Sequence, residues 1–474
     1  MTTPALALRA ATLVAALVLA GCASLAPPNT PLPAAPQARW ENAQPPERAP
    51  TDLAVWWQRF GDADLAALVE RALGAHTSVR SAQAALTQSR ALARAAAANL
   101  LPSITLGGSA QRSDSGNASA SNRFATAIDA SWEPDFGGGL GASRDAADAD
   151  ALAAAYTLAD AQVSLAAEVA LTYLEWRSAQ ARQATATRNL ALQEDSLQIA
   201  RWRLQAGLVS ALDVEQAQAA TAQTRAQLPA LASAAAQATH RLAVLTGRAP
   251  GEAAQVVPAR AAAVPLPADD LALAFPADTL RQRPDVRVAE TRVLSARSRL
   301  AAADAERLPS LRLGGSIGVA ALTLGGLTSG AALAQSLVAA VSLPLFDGGA
   351  LRARVDAQAA GWEQARIAYE AAVLAALQEV EDSLVALRAD RERQTHLQQA
   401  ADAARAAEVL ARQQYEAGLA DFRAVLDAQR TLLAAEDNLQ TLRATLAADH
   451  VRLYKALGGD WTPGAPTTLA STPR

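Results

Sequence analysis

The only cysteine of the 474-residue sequence is the residue best placed for covalent chemistry. Cys22 follows Leu19-Ala20-Gly21 and an apolar run from Ala10 to Ala20. Small residues before a cysteine at the end of an N-terminal apolar run are typical of a bacterial lipoprotein signal, and an ordinary secretory signal is the alternative. We therefore expect residues 1–21 to be a signal peptide and the Cys22 thiol to carry a lipid such as palmitate.

The residue after this cysteine indicates to which membrane the lipidated protein would be sorted. Ala23 stands where an aspartate would suggest retention in the inner membrane, so the signal resembles one that sorts to the outer membrane. Each methylene of a lipid chain buried in a leaflet contributes ~0.8 kcal/mol to membrane binding. Outer-membrane lipid is therefore the predicted partner of Cys22.

No other group of residues has the types and spacing of an active site. The four histidines lie far apart in the sequence, without the His-x-x-x-His spacing of a metal-ligand pair. The glycine runs at 137–139 and 348–349 lack the Lys-Ser/Thr that follows a phosphate-binding loop. Neither a Ser/His/Asp or Cys/His pattern nor a pair of carboxylates suggests catalysis. We expect no enzyme activity, no metal site and no cofactor besides the lipid.

The composition narrows the class of protein further. Apolar residues make up 51% of the chain and aromatic residues only 4%, because the apolar excess is alanine. Alanine is the strongest helix former, so the chain predicts long helices that approach one another closely. A net charge of -4, without a basic run that contains aromatic residues, argues against a nucleic-acid partner.

Two glycine turns organise the helical part of the chain. The stretch from Tyr415 to Gln429 interrupts a strongly helical region, and a degenerate copy of it runs from Arg203 to Gln218. Both copies contain Ala-Gly-Leu, which predicts the tips of two helical hairpins in a tandem repeat. The tip residues of the two copies are Gly207, Leu208, Gly418 and Leu419.

The repeat also defines the predicted domains. Ser78–Ser103 recurs as Asp285–Ser310, and Leu-Pro-Ser ends a helix in both copies. Helical sequence then covers about 141–244 and 350–457, and the ~65 residues before each tip would span roughly 100 Å. The predicted domains are a Pro-rich strap at 22–61, a first repeat at 62–247, a linker at 248–277, a second repeat at 278–459 and a flexible tail at 460–474.

A segment of alternating residues follows each Leu-Pro-Ser and predicts β-hairpins at about 103–134 and 310–344. Strands of about ten residues with one apolar face are the weak signature of transmembrane β-strands, and soluble hairpins packed on helices are the alternative. Four strands cannot close a barrel, and an open edge in lipid leaves backbone groups unpaired. A membrane-spanning sheet therefore needs three copies of the chain to give twelve strands, with loops at 110–122 and 320–334.

Four motifs resemble those of the TolC-like outer-membrane efflux family, in its lipoprotein (NodT-type) branch. They are Trp56-Trp57-x-x-Phe60, the first tip at 206–214, the segment 276–290 with Arg-Pro-Asp-Val-Arg, and the second tip. The resemblance runs from about Cys22 to Trp461. It implies a mainly α fold with a small β part: a homotrimer with a twelve-strand barrel in the outer membrane and a twelve-helix α-barrel in the periplasm. It also implies a passive exit duct for drugs or other small toxic compounds, working with a periplasmic adaptor and an inner-membrane pump of the resistance-nodulation-division (RND) type.

The resemblance assigns roles to residues at the tips. A gate bond between hairpins matches Tyr415 and Asp213, an acidic ring matches Asp427, and Asp421 matches an acidic position of the lipoprotein branch. Arg423 would supply a cation that the family places at position 420, where this sequence has alanine. The exposed Ala-Gly-Leu turns would be the adaptor-docking tips. A solvated carboxylate at a helix end is the alternative for each acid.

Two other functions fit the same pattern. One is a type I protein-secretion duct, which has the same architecture and another pump. The other is a lipid-anchored coiled-coil envelope protein with no channel, because Val373, Leu377, Val380, Leu384 and Leu387 have coiled-coil spacing. The lipoprotein start favours an efflux duct over protein secretion.

Overall fold

The computed structural model describes residues 55–114, 120–257, 263–267 and 282–459. Several predicted features lie outside these residues: the signal peptide, Cys22, the strap up to residue 54 and the tail at 460–474. Parts of the predicted linker, at 258–262 and 268–277, the first residues of the predicted second repeat, 278–281, and residues 115–119 of the predicted loop lie outside them as well. The last residues of the predicted strap, Trp56–Phe60, form a short 3-10 helix with buried aromatic side chains.

The chain is mainly helical and its elements repeat. The nine α-helices of the described residues are α1 (Ala63–Ala75), α2 (Thr77–Ala98), α3 (Gly139–Gln205), α4 (Ala211–Leu245), α5 (Ala253–Val256), α6 (Pro284–Ala305), α7 (Gly326–Ser329), α8 (Ala350–Glu416) and α9 (Phe422–Ala456). Helices α3 and α8 have 67 residues each, and α4 and α9 have 35 each. The tandem repeat predicted from the two tips is therefore confirmed. We call α3 with α4 the first hairpin, and α8 with α9 the second hairpin.

Both long helices begin beside a carboxylate that follows a strand. The Asp135 carboxylate accepts hydrogen bonds from the backbone N–H groups of Leu140 and Gly141, at 3.1 and 2.6 Å. The Asp347 carboxylate likewise accepts from Gly349 and Leu351, at 2.9 and 2.7 Å. The first N–H groups of a helix have no partner within the helix, so these carboxylates stabilise the start of α3 and of α8.

Four strands form one antiparallel sheet in the order β1 (Ser103–Ser113), β2 (Ser121–Trp132), β3 (Ser310–Ala321) and β4 (Ala332–Ser342). The register places Leu106 opposite Ile128 and Ile128 opposite Ile317, so the apolar residues of neighbouring strands share one face. This confirms the predicted alternation. Within the chain, β1 and β4 are the two edges of the sheet.

The bounds predicted for the loop at 110–122 are wrong, because the predicted loop extends into both flanking strands. Strands β1 and β2 stay paired as far as Ser113 and Ser121. Polar side chains do not end a strand, because the ladder is made by backbone groups and a side chain only chooses a face. The predicted loop at 320–334 contains the single helical turn α7, which no sequence signal indicated.

The structure divides into two compact units. Of the described residues, one unit contains the sheet with 87–114, 120–153 and 289–370, and the other contains 55–86, 154–257, 263–267, 282–288 and 371–459. No helix of the described residues is long and apolar enough to cross a membrane.

A buried polar network fixes α1 against α3 in the second unit. The guanidinium of Arg177, which is fully buried, donates to the Tyr173 hydroxyl at 2.9 Å and to the Asp64 carboxylate at 3.3 Å. Tyr173 donates to the Asp62 carboxylate at 2.6 Å. Burial and this hydrogen bond raise the pKa of the Tyr173 hydroxyl, so it stays neutral and keeps its donor.

Candidate functional site

Each hairpin tip is a glycine-capped turn. At the first tip, Gly207 donates to the Leu204 carbonyl and Leu208 donates to the Arg203 carbonyl, at 2.9 and 2.8 Å. Gly418 and Leu419 make the equivalent bonds at the second tip. This is the Schellman pattern, in which the glycine takes a left-handed conformation. Gly207 and Gly418 have φ values of 72° and 73°, so the turn itself requires them.

The two tips expose a leucine each. Leu208 is 73% exposed and Leu419 is 80% exposed in the chain. A large apolar side chain that contacts water at the end of a turn gives little stability to the fold. The glycines provide the shape of the tips, and a leucine side chain is exposed at each of them.

A common apolar cluster joins the first hairpin to the second at their tips. The first hairpin contributes Leu197, Ala200, Val214, Ala217 and Ala220, and the second contributes Tyr415, Phe422, Val425 and Leu426. The Tyr415 and Phe422 rings lie 5.2 Å apart. Tyr415 is only 4% exposed, so its ring is part of the core between the hairpins.

The predicted bond between Tyr415 and Asp213 is not formed within the chain. The Asp213 carboxylate accepts from the backbone N–H and the hydroxyl of Ser210, at 3.0 and 2.7 Å, and so belongs to the capping box of α4. Among the described residues the Tyr415 hydroxyl has no hydrogen-bond partner. Burial raises its pKa, and the positive charge of Arg203 opposes that rise. Within one chain, helix capping engages the Asp213 carboxylate instead, and a bond between Tyr415 and Asp213 of neighbouring copies stays a prediction.

The other two predicted acids lie at the start of α9. The Asp421 carboxylate accepts from the Ala424 N–H at 3.0 Å and caps the helix. The Asp427 side chain is 75% exposed and pairs with Arg430, at 3.6 Å, rather than with Arg423. An exposed ion pair of this kind contributes ~0–1 kcal/mol to stability.

A polar seam between the hairpins was missed by the sequence analysis. Four residues of α3, seven positions apart, contact the second hairpin: Arg182, Asn189, Ser196 and Arg203. Their spacing is the heptad of a coiled coil, and a search for polar residues at that interval would have found them. We call these four residues the α3 seam.

The two contacts of the α3 seam farthest from the tips are made with carboxylates of α9, and the two nearest the tips are not. Arg182 donates to both Asp437 oxygens at 2.7 and 3.0 Å, and Asn189 donates to Glu436 at 3.1 Å. Gln429 donates to the Ser196 hydroxyl at 2.8 Å. The partners in α9 also move by seven residues, from Glu436 to Gln429, so α3 and α9 keep one antiparallel register along this part of the seam. The last seam residue, Arg203, contacts α8 instead.

Within the residues that the structure describes, no group of His, Cys, Asp or Glu side chains is arranged to hold a metal ion. The features available for function are therefore the sheet with its two edges, the two exposed tips and the seam that joins the hairpins.

Known proteins share both the sequence and the fold of this chain. Residues 68–248 and 275–459 match the family model of the outer membrane efflux protein. The toluene efflux pump outer membrane protein TtgF of Pseudomonas putida is 33% identical over 94% of this chain and 95% of its own. The pyoverdine export outer membrane protein OpmQ of Pseudomonas aeruginosa is also 33% identical, over 94% and 96%. The outer-membrane channel OprN superposes with a TM-score of 0.86 and 32% identity, over 92% and 99%.

The fold and the paired tips define a TolC-like outer-membrane channel protein. The chain belongs to the outer membrane efflux protein family, as the four sequence motifs indicated. It is an efflux exit duct of the outer membrane that extends into the periplasm.

Proposed function

We propose that the chain forms the exit duct of a tripartite efflux pump as a homotrimer, together with a periplasmic adaptor and an RND-type inner-membrane pump. The observation that carries the proposal is the four-stranded sheet, whose apolar face is exposed and whose edge strands β1 and β4 have no further strand beside them among the described residues. Leu337 in β4 is 89% exposed. Such a sheet is stable in lipid only when its edges are paired, and three copies give twelve strands.

A trimer in detergent is the first expected result. Light scattering of the purified protein should give about three chain masses, because the β1 edge of one copy pairs with the β4 edge of the next. A monomer with intact helical circular dichroism would contradict the proposal. An aggregate that dissociates into monomers, rather than into trimers, on dilution would contradict it as well.

The cargo of the duct is proposed to be drugs or other small toxic compounds. The relatives TtgF, a toluene efflux protein, and OpmQ, a pyoverdine export protein, differ in cargo, which supports a passive duct whose pump selects the substrate. Restored drug resistance in a strain without its own exit duct, with the matching adaptor and pump supplied, is the test. Secretion of a protein substrate instead would favour the type I duct.

We propose that the tips are the gate, with Asp213, Tyr415, Asp421 and Asp427 near the narrowest part. Three symmetry-related Asp427 carboxylates would attract cations and repel anions, more strongly at low salt. Asp427→Asn is expected to reduce cation preference, measured as a smaller reversal potential across a salt gradient. Arg430→Gln, which removes the cation 3.6 Å away, should change the preference in the opposite direction. Equal reversal potentials in all three proteins would exclude Asp427 from the pore.

A further inference from the structure

Two aspartates are buried between the helices of the second hairpin. Asp390 of α8 is 7% exposed and Asp449 of α9 is 3% exposed. The Asp390 carboxyl lies within hydrogen-bonding reach of the Asp449 carboxyl. Ionised carboxylates only accept hydrogen bonds, so a bond between the two requires a proton on one of them. We call these two residues the carboxyl pair.

The register of the second hairpin brings the carboxyl pair together. Arg405 donates to Glu436 at 2.8 Å, and Arg443 donates to Gln398 at 3.0 Å. From the first contact to the second, the chain moves seven residues back along α8 and seven forward along α9, which is the heptad interval of a coiled coil. Another seven residues in each helix lead to the positions beside the carboxyl pair. The pair therefore lies in the same interface as these two contacts.

Each aspartate of the pair has one arginine on its own helix, three residues further on. Arg393 donates to Asp390 at 2.6 Å, and Arg452 donates to Oδ1 of Asp449 at 2.7 Å. Oδ2 of Asp449 is buried and has no hydrogen-bond donor among the described residues. A buried acceptor without a donor costs free energy, and a proton shared with Asp390 would supply that donor.

The surroundings of Asp449 favour such a proton. Burial raises the pKa of the Asp449 carboxyl, Arg452 opposes the rise, and the negative charge of Asp390 adds to it. Both effects that raise this pKa disfavour a second negative charge in a site of low polarity. The neutral carboxyl is therefore the form that suits this position.

The other charged groups at this point of α9 surround Tyr454. Burial raises the pKa of the Tyr454 hydroxyl to about 12, although the positive charges of Arg59 in the 3-10 helix and of Arg391 in α8 oppose the rise. The His450 ring lies 6.5 Å from the Tyr454 ring. Tyr454 therefore stays neutral and adds no negative charge beside the carboxyl pair.

The first repeat shows that a hairpin of this kind does not need two aspartates. Helix α3 begins at residue 139 and α8 at residue 350, which is 211 residues later. At that offset, Ala179 and Ala238 correspond to Asp390 and Asp449. Both alanines are buried, so small apolar residues fill the same place in the first hairpin. The carboxyl pair is thus an addition to the second hairpin, because its burial is costly without a compensating bond.

We propose that the carboxyl pair is a proton-binding site, which stabilises the contact between α8 and α9 while it holds one proton and weakens that contact when the proton is lost. Helix α8 ends 26 residues after Asp390, so the site lies roughly 40 Å from the tip along the helix. The inference concerns the second hairpin alone and does not rest on the proposed efflux function.

The direction of the pH dependence is fixed by the site. The pKa of Asp449 in the folded chain is raised above the unfolded value of about 3.9. The contribution of the bound proton to stability is therefore complete below that value and is lost as the pH rises through the folded pKa. Between the two pKa values, the site should increase the unfolding equilibrium constant about tenfold for each pH unit.

The first test is thermal unfolding of the purified full-length protein from about pH 5 to about pH 8, followed by circular dichroism. Asp449→Asn keeps the shape of the protonated acid and cannot ionise, so its melting temperature relative to the wild type should rise steadily with pH. The matched control is Asp402→Asn in α8. Asp402 also pairs with an arginine three residues further on, but its side chain is 56% exposed.

The control should differ from the wild type by a constant amount over this range, because hydrogen bonds from Gln398 and Arg405 lower the pKa of Asp402 and keep it ionised. A difference between Asp449→Asn and the wild type that is also constant from about pH 5 to about pH 8 would overturn the proton site.

Infrared spectroscopy detects the proton directly, since a protonated carboxyl group has a C=O band of its own. At neutral pH this band should lose intensity in Asp449→Asn and keep it in Asp402→Asn. The wild-type band should also weaken when the pH is raised, a measurement that needs no variant. Equal intensity in the wild type and Asp449→Asn would show that both carboxylates of the pair are ionised and would contradict the proposal.

Asp390→Ala with Asp449→Ala copies the first hairpin and keeps the test decisive if a single asparagine impairs folding. This variant should fold with the helical content of the wild type and lose the additional pH dependence. A pH dependence as steep as that of the wild type would contradict the site. Drug export by the wild type is measured separately, so the efflux function and the proton site can each fail alone.

Discussion

Replacing Cys22 with alanine is expected to abolish lipidation of the protein completely. The predicted lipoprotein signal attaches its lipid through the cysteine sulfur, and Cys22 is the only cysteine of the chain, so no other residue can substitute. Processing at Gly21 should fail as well, which leaves residues 1–21 on the protein. Loss of the anchor removes ~0.8 kcal/mol of membrane binding for each buried methylene.

Labelled palmitate and the mass of the purified chain measure this result. Ser24→Ala, two residues away, is the matched control and should incorporate label as the wild type does. Undiminished label in Cys22→Ala would place the lipid elsewhere. If the wild-type protein is cleaved but carries no label, residues 1–21 are an ordinary secretory signal, which is the alternative to a lipoprotein signal.

Replacing both tip leucines with aspartate is expected to abolish efflux without harming the fold. Leu208 and Leu419 are exposed in the chain, so their removal leaves no cavity, whereas a charged residue in an apolar docking contact is strongly unfavourable. Drug resistance conferred by Leu208→Asp with Leu419→Asp should fall to that of a strain without the duct. Trimer abundance in the outer membrane should match the wild type.

The matched control is Leu208→Met with Leu419→Met, which keeps an apolar side chain at each tip. Resistance equal to the wild type in the aspartate variant would exclude the leucines from adaptor docking. Bulky residues at Gly207 or Gly418 are a poorer test, because both glycines have positive φ and the turn is strained by any ordinary side chain.

Repetition and alternation made most of the fold predictable. The two Ala-Gly-Leu turns predicted both hairpins, and residues such as Ile128 and Ile317 predicted one apolar sheet face, because each signal repeats at a fixed interval along the chain. The extent of the strands around Ser113 and Ser121 was predicted less well, since backbone pairing does not depend on polarity.

Contacts between the hairpins could not be predicted in the same way. Arg203 and Glu416 are 213 positions apart, and helical periodicity gives the buried face of each helix but not the register of one helix against another. Asp213 has the residue type of a gate acid, yet a serine three residues earlier makes a capping box with it. The cap needs only residues that are already neighbours in sequence. The Asp213 carboxylate therefore bonds Ser210 within the chain and not the distant Tyr415.

Single-channel recording of the purified wild-type protein in a planar bilayer tests the central claim most directly. A duct that spans the membrane predicts discrete conductance steps, whose number rises with the amount of protein and whose ion selectivity favours cations. The absence of any step, at concentrations where light scattering reports trimers and lipid vesicles bind the protein, would contradict the account and leave a lipid-anchored envelope protein without a channel.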